Sequence, residues 1–191
     1  MHFIEEYQID PEICDALIAL HNKGRKMGVV QKGQLGTDEG IVVDKSKKDS
    51  HDLGLVTVPD EVLAEFRVPD YYVALKNCVD QYVETYSTLK MIGPYHIGES
   101  PIVQCYTPGG GYKMEHFERT GIETSTRMLV WMTYLNDVTE GGGTRFTYQD
   151  KTVDARKGKT LIWPTDFTHT HAGVVSKTQK KYIITGWLNF S

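Results

Sequence analysis

The sequence predicts an α+β fold that is mainly β, with helices first and a β core after about residue 100. Three observations carry this. Two early stretches repeat apolar residues at helical spacing. The later half consists of short β-branched and aromatic runs bounded by glycine-bearing turns. Those runs follow one another without helices between them, which favours a sandwich or barrel over an alternating parallel sheet. The 191 residues contain no internal repeat or linker, so a single domain, 1–191, is expected. In it, residues 1–100 form a helical support region and residues 101–191 the β core.

The elements follow in order. Asp10-Pro11-Glu12 has the form of a helix start, with Ile13, Leu17 and Leu20 on one face until Gly24 ends the run. A short helix is expected over 60–66. A longer one is expected between Pro69 and Leu89, where Tyr72, Leu75, Val79, Tyr82 and Tyr86 share a face. The stretch Thr37–His51, rich in Gly, Asp, Lys and Ser, reads as a surface loop with solvated charges. Strands are expected at Ile102–Tyr106, Arg127–Asn136, Thr160–Trp163 and Lys181–Leu188.

Composition removes several classes. With 21 basic and 25 acidic side chains the net charge is −4, which argues against nucleic acid or an anionic membrane as partner. Cys14, Cys78 and Cys105 are an odd, scattered set without C-x-x-C spacing. This excludes a disulfide scaffold or zinc ribbon and suits a reducing, cytoplasmic setting. The segment MHFIEEYQID lacks the layout of a signal peptide, and no apolar stretch approaches the roughly 20 residues of a membrane span.

Seven histidines remain to be explained. In an extended strand, residues i and i+2 face the same way, so His116 and Glu118 can present an imidazole and a carboxylate to one point. A second histidine from a distant strand, out of His169-Thr170-His171, would complete a 2-His-1-carboxylate set with open positions, suited to non-haem Fe(II).

The surroundings of this triplet carry a resemblance. Tyr106-Thr-Pro-Gly-Gly-Gly-Tyr112 precedes His116, and Met128 to Asn136 ends in Tyr134-Leu135-Asn136. Gly141-Gly142-Gly143-Thr144-Arg145-Phe146 fits a G-G-x-T-x-F turn. Lys157-Gly158-Lys159-Thr160-Leu161-Ile162-Trp163-Pro164 fits a strand after a lysine-glycine turn. His171-Ala-Gly-Val-Val leads, ten residues on, to Lys181, then Thr185 and Trp187. From about Pro101 to Phe190 the chain resembles the prolyl-4-hydroxylase-type branch of the Fe(II)/2-oxoglutarate dioxygenases.

The resemblance implies a double-stranded β-helix, or jelly roll, packed against N-terminal helices. It implies hydroxylation of a C–H bond with Fe(II), 2-oxoglutarate and O2, with ascorbate as a reductant. The substrate would be a peptide, protein or small molecule, a prolyl residue being the one it first suggests. His116, Glu118 and His171 become the iron ligands, and Lys181 the partner of the distal carboxylate of 2-oxoglutarate. Tyr134 would donate its hydroxyl to that carboxylate, Tyr106 would line the cosubstrate pocket, and Thr185 and Trp187 would wall it. The histidine-to-lysine spacing and the His-Ala-Gly context select His171, with His169 expected on the same strand face, either supporting the ligands from behind or at the pocket rim.

Two positions depart from the pattern. Glu118 stands where the family usually has aspartate, and its extra methylene moves the carboxylate outward by on the order of 1.5 Å. An extra residue between Tyr112 and His116 leaves Tyr112 without an assigned role. The alternatives are a non-catalytic jelly-roll binding module and a cupin-like metalloenzyme with a non-oxygenase activity. Lys181 discriminates among them, since a binding module has no reason to place a lysine and Tyr134 where the far end of a dicarboxylate would sit. The remaining features read blandly. Gly158-Lys159-Thr160 lacks the upstream glycine of a phosphate loop, which would fall at Val153. His2, His21, His51 and His96 are isolated, and Gly109–Gly111 is a turn. Asn189-Phe190-Ser191 ends a strand, and Cys105 is a small apolar residue.

Overall fold

The first helix shows how local sequence becomes position. In this computed structural model, which describes residues 2–37 and 40–191, α1 (Pro11–Met27) begins where Asp10 accepts a hydrogen bond from the Glu12 amide at 2.9 Å. The helix does not stop at Gly24. It runs on to Met27 and closes at Gly28, whose φ of +75° and amide bond to the Arg25 carbonyl make the left-handed cap. Gly24 serves packing instead: a Cβ there would lie 2.7 Å from Leu53 Cδ1. α2 (Asp60–Glu65) is short, and α3 (Val68–Thr85) follows. The α3 face is centred on Tyr71, Leu75, Cys78 and Tyr82 rather than on Tyr72, which is only partly buried.

The first hundred residues also supply strands. These are β1 (Glu5–Gln8), β2 (Gln31–Lys32), β3 (Leu35–Thr37), β4 (Gly40–Val42), β5 (Lys48–Asp49), β6 (His51–Gly54) and β7 (Tyr95–His96). After them come β8 (Ile102–Tyr106), β9 (Gly111–Tyr112), β10 (Arg127–Tyr134), β11 (Thr144–Phe146), β12 (Lys151–Val153), β13 (Lys159–Pro164), β14 (His171–Gly173) and β15 (Lys181–Phe190). The main sheet runs β1-β13-β10-β15-β8-β6-β2, with β7 also on β15; a smaller one runs β12-β11-β14. Every one of these pairings is antiparallel.

Period two along the central strands divides the core between two layers. Tyr182, Ile184 and Leu188 of β15, with Leu129 and Trp131 of β10, pack towards α1 and α3. Ile183 of β15, with Val130 and Met132 of β10 and Leu161 and Trp163 of β13, belongs to a second cluster together with Phe146 of the small sheet. Gly186 lets Trp131 lie against β15, since a Cβ would meet the indole at 2.4 Å. The result is the jelly-roll core, with helices on one face of the main sheet. Among the described residues no helix is long and apolar enough to cross a membrane.

The stretch expected as a solvated loop is partly structural. Lys48 is buried, paired with Asp52 at 2.7 Å, because β5 pairs with β9 and draws Lys48 onto the approach to His116. Asp38 and Glu39 of that stretch lie outside the described residues.

Candidate active site

His116, Glu118 and His171 converge. One ligand atom from each lies within 4.8 Å of the others. The expected extended strand through His116 and Glu118 is reduced to a single antiparallel bridge between His116 and His171, with amide bonds of 3.0 and 2.9 Å in the two directions. The Glu118 amide reaches the Thr165 carbonyl at 3.0 Å. Those few bonds keep His116 and Glu118 facing the same way.

Backbone carbonyls set the ring orientations. His116 Nδ1 donates to the Met114 carbonyl and His171 Nδ1 to the His169 carbonyl, each at 2.9 Å. Both Nε2 lone pairs are thereby left for the common centre, the tautomer a metal requires. Glu118 Oε1 lies 3.5 Å from each Nε2, and Oε2 accepts the Trp187 indole N–H at 3.1 Å. Burial alone would push the Glu118 carboxyl up, but hydrogen bonds and charge from the two imidazoles in their protonated form outweigh it and hold it well below the usual range. Burial, and then the neighbouring His116, lower His171. Two neutral imidazole nitrogens and a carboxylate on one side of a cavity fit an Fe(II) ion with open coordination positions.

The rings are also packed. Tyr112 stacks on His116 with centroids 3.7 Å apart, and Phe146 and Trp163 flank His171. Tyr112 is therefore a wall of the metal centre, a position that sequence spacing could not assign. His169 departs from expectation in the direction of its ring, not in supporting the ligand beside it. It ends a 3-10 turn, Phe167–His169, so its ring does not share the face of His171 but bonds the His2 carbonyl at 2.9 Å. Its carbonyl, not its ring, serves the centre.

One cavity of about 260 Å³ joins this centre to Lys181. Tyr106, Thr185 and Trp187 line it, as the register of β8 and β15 dictates. Lys181 is buried, donates to the Gly142 carbonyl at 2.9 Å and lies 5.0 Å from the Tyr106 ring centroid. No carboxylate stands within ion-pair distance of it among the described residues, and burial lowers its pKa to about 8. Such a cation fits an incoming carboxylate.

Tyr134 is the expected site residue that the structure does not bring to the cavity. Its hydroxyl is fully buried, 2.6 Å from Thr144 Oγ1 and 3.4 Å from the Val153 carbonyl. Thr144 takes its place on the wall, and the threonine of the G-G-x-T turn was the available signal. Arg127 and Lys48 also line the cavity unforeseen. Lys48 joins Tyr106 through a polar chain: Asp52 pairs with Lys48, Gln104 Nε2 donates to Asp52 at 3.3 Å, and Tyr106 donates to Gln104 at 2.7 Å.

Residues 101–189 match the family model of the 2OG-Fe(II) oxygenase superfamily, whose chemistry requires Fe(II), 2-oxoglutarate and O2. Solved structures share the fold along the whole chain. A viral collagen prolyl hydroxylase from Paramecium bursaria Chlorella virus-1, in complex with 2-oxoglutarate, is 19% identical with a TM-score of 0.69, covering 99% of this chain and 97% of that one. A prolyl-4-hydroxylase from Pseudomonas putida is 16% identical with a TM-score of 0.69, covering 100% and 94%. A Trichoplax adhaerens prolyl hydroxylase, bound to a peptide fragment of the hypoxia inducible factor oxygen degradation domain, is 17% identical with a TM-score of 0.72, covering 99% and 84%. No curated protein matches the sequence. Over residues 101–189, just under half of its length, the chain is therefore similar to the 2OG-Fe(II) oxygenase superfamily.

Proposed function

We propose that this protein is an Fe(II)- and 2-oxoglutarate-dependent dioxygenase that hydroxylates a C–H bond, with a prolyl residue in a peptide or protein as the substrate to test first. The observation that carries it is Lys181: a buried lysine without an acidic partner among the described residues shares one cavity with a two-histidine, one-carboxylate centre. His116, Glu118 and His171 would hold the iron, and Lys181 the distal carboxylate of 2-oxoglutarate. Tyr106, Thr144, Thr185 and Trp187 would wall the cosubstrate. Tyr134 would act on that wall only through Thr144.

When bound, the iron and cosubstrate supply the oxidation, with 2-oxoglutarate leaving as succinate and CO2. The chain's own residues orient and exclude water. His116 and His171 keep Nε2 free by donating from Nδ1, Trp187 fixes Glu118, and Trp163 and Phe146 keep the surroundings apolar. Ascorbate enters on the resemblance alone. The peptide-bound Trichoplax structure supports a chain-borne substrate, against a free small molecule. Because β1 and β6 of the first hundred residues join the main sheet, residues 1–191 are taken as one working domain. Three buried free thiols suit a cytoplasmic setting. A binding module or a cupin-like enzyme would leave Lys181 without a use.

The test is anaerobic addition of Fe(II) and then 2-oxoglutarate. A visible charge-transfer band from a chelated keto acid is expected, and a prolyl peptide should then stimulate succinate formation in air. No band with saturating Fe(II) would overturn the cosubstrate assignment. Stimulation by free amino acids but not by peptides would overturn the substrate class.

A further inference from the structure

Glu118 carries one more torsion than the aspartate usual in the family it resembles, so its carboxylate must be held in place from outside. One chain of contacts does this. Trp187 donates to Oε2 at 3.1 Å. The Arg127 guanidinium lies over the Trp187 ring, 3.8 Å from its centroid, donates to the Glu118 carbonyl at 2.9 Å and approaches Oε2 at 3.8 Å. Arg127 is gripped in turn by Glu99 through two parallel bonds, Nε to Oε1 at 2.7 Å and Nη2 to Oε2 at 2.5 Å. The Asn189 amide steadies Glu99 Oε1 at 3.1 Å.

Glu99 does not line the cavity that holds the three-donor centre. Its two bonds nonetheless fix the plane of the guanidinium, as a single contact to a flexible cation would not. Arg127 is largely buried, with 16% of its side chain exposed, so the plane it adopts is transmitted to Trp187 by packing.

We propose that Glu99 is a positioning residue for Glu118: by holding Arg127 flat on Trp187, it keeps the longer carboxylate turned towards the two histidines. This rests on the reading of Glu118 as a metal ligand. It predicts a site built around glutamate, not an aspartate site that has drifted.

The experiment is anaerobic titration with Fe(II), without 2-oxoglutarate, together with the visible absorption spectrum of the Co(II)-substituted protein. Glu99→Ala and the isosteric Glu99→Gln should each weaken Fe(II) by about tenfold or more, in the range typical of outer-shell partners, and should change the Co(II) spectrum. In a Glu118→Asp background the shorter carboxylate does not depend on Trp187, and the same substitutions should weaken Fe(II) by less than about threefold. Equal losses in both backgrounds would mark Glu99 as a merely structural residue and overturn the proposal. So would an unchanged affinity and spectrum when Glu118 is present. Should Glu99→Ala not fold, Glu99→Gln decides alone. Unchanged Fe(II) affinity in Glu118→Gln would instead remove Glu118 as a ligand. A missing 2-oxoglutarate band with Glu99-dependent metal binding would remove only the cosubstrate.

Discussion

The two ends of the cavity are built on opposite principles. At the metal end every polar atom except the two Nε2 lone pairs aimed at the centre is already committed: both Nδ1 atoms have carbonyl acceptors and both Glu118 oxygens have neighbours. At the other end, Lys181 has one backbone carbonyl and an aromatic face, with no acid among the described residues to balance it. The first end is preorganised: its own surrounding side chains and carbonyls set its geometry without a ligand. The second holds an uncompensated charge that only a ligand relieves. The difference means that damage to the metal end should appear as lost affinity alone, whereas removing Lys181 should trade binding for stability.

The largest effect belongs to the preorganised end. His171→Ala removes a donor and also the bridge partner's ring from between Phe146 and Trp163. It should lower Fe(II) affinity by more than about 100-fold, beyond the usual cost of an outer partner, and abolish substrate-stimulated succinate formation. Calorimetric titration checks the first and product analysis the second. Retention of metal affinity within a few-fold would make His169 the better candidate, despite its ring facing His2.

Lys181→Met breaks the comparison from the other side. Removing one partner of a buried charge pair costs about 2–5 kcal/mol, so 2-oxoglutarate affinity should fall by roughly 30- to 5000-fold. Lys180→Ala, on the exposed neighbour, should leave it unchanged. The free protein should respond in the opposite sense. Depression of the lysine from 10.5 to about 8 corresponds to about 3 kcal/mol of destabilisation. That cost is fully present below pH 8. It is relieved as pH rises from about 8 towards 10.5, because the unfolded chain binds the extra proton in that window. At pH 7 the methionine variant should therefore melt a few degrees above wild type. Cosubstrate binding by wild type needs the ammonium form, so its affinity should fall above about pH 8, by up to about tenfold per pH unit. A methionine variant that melts lower, or a flat pH profile, would show that Lys181 has a partner of its own.

The same contrast explains what could be read from the sequence. Lys181, Thr185 and Trp187 were legible because period two along one strand is a local rule, and the family pattern supplied its register. His116, Glu118 and His171 were legible as residue types at a known spacing, although the His116 segment forms one bridge and not a strand. Lys48 was not. Its neighbours in sequence are charged and polar, and its burial follows only from the pairing of β5 with β9, some sixty residues away. Arg127 and Glu99 were likewise invisible, since nothing local says that two residues 28 apart will form a bidentate pair. His169 failed for a local reason: a 3-10 turn ends at that residue, and alternation does not hold across it.

Tyr134 gives the smallest and sharpest test, because the direction of one hydroxyl separates the two readings of the carboxylate end. Tyr134 and Thr144 share a 2.6 Å bond in the fully buried layer behind the cavity wall, and only Thr144 reaches the wall itself. Tyr134→Phe removes one side of a neutral hydrogen bond and should cost about 1 kcal/mol of stability. It should change 2-oxoglutarate affinity by less than about threefold, since Thr144 keeps its place and rotates its hydroxyl freely. Thr144→Val, nearly the same shape, takes the polar atom off the wall and should weaken the cosubstrate more than Tyr134→Phe does. Isothermal titration of both variants with 2-oxoglutarate orders them directly. A loss with Tyr134→Phe that matches or exceeds the Thr144→Val loss would mean that the phenol turns to the carboxylate once 2-oxoglutarate binds. The carboxylate end would then be a site that rearranges on loading, unlike the metal end, which is already set.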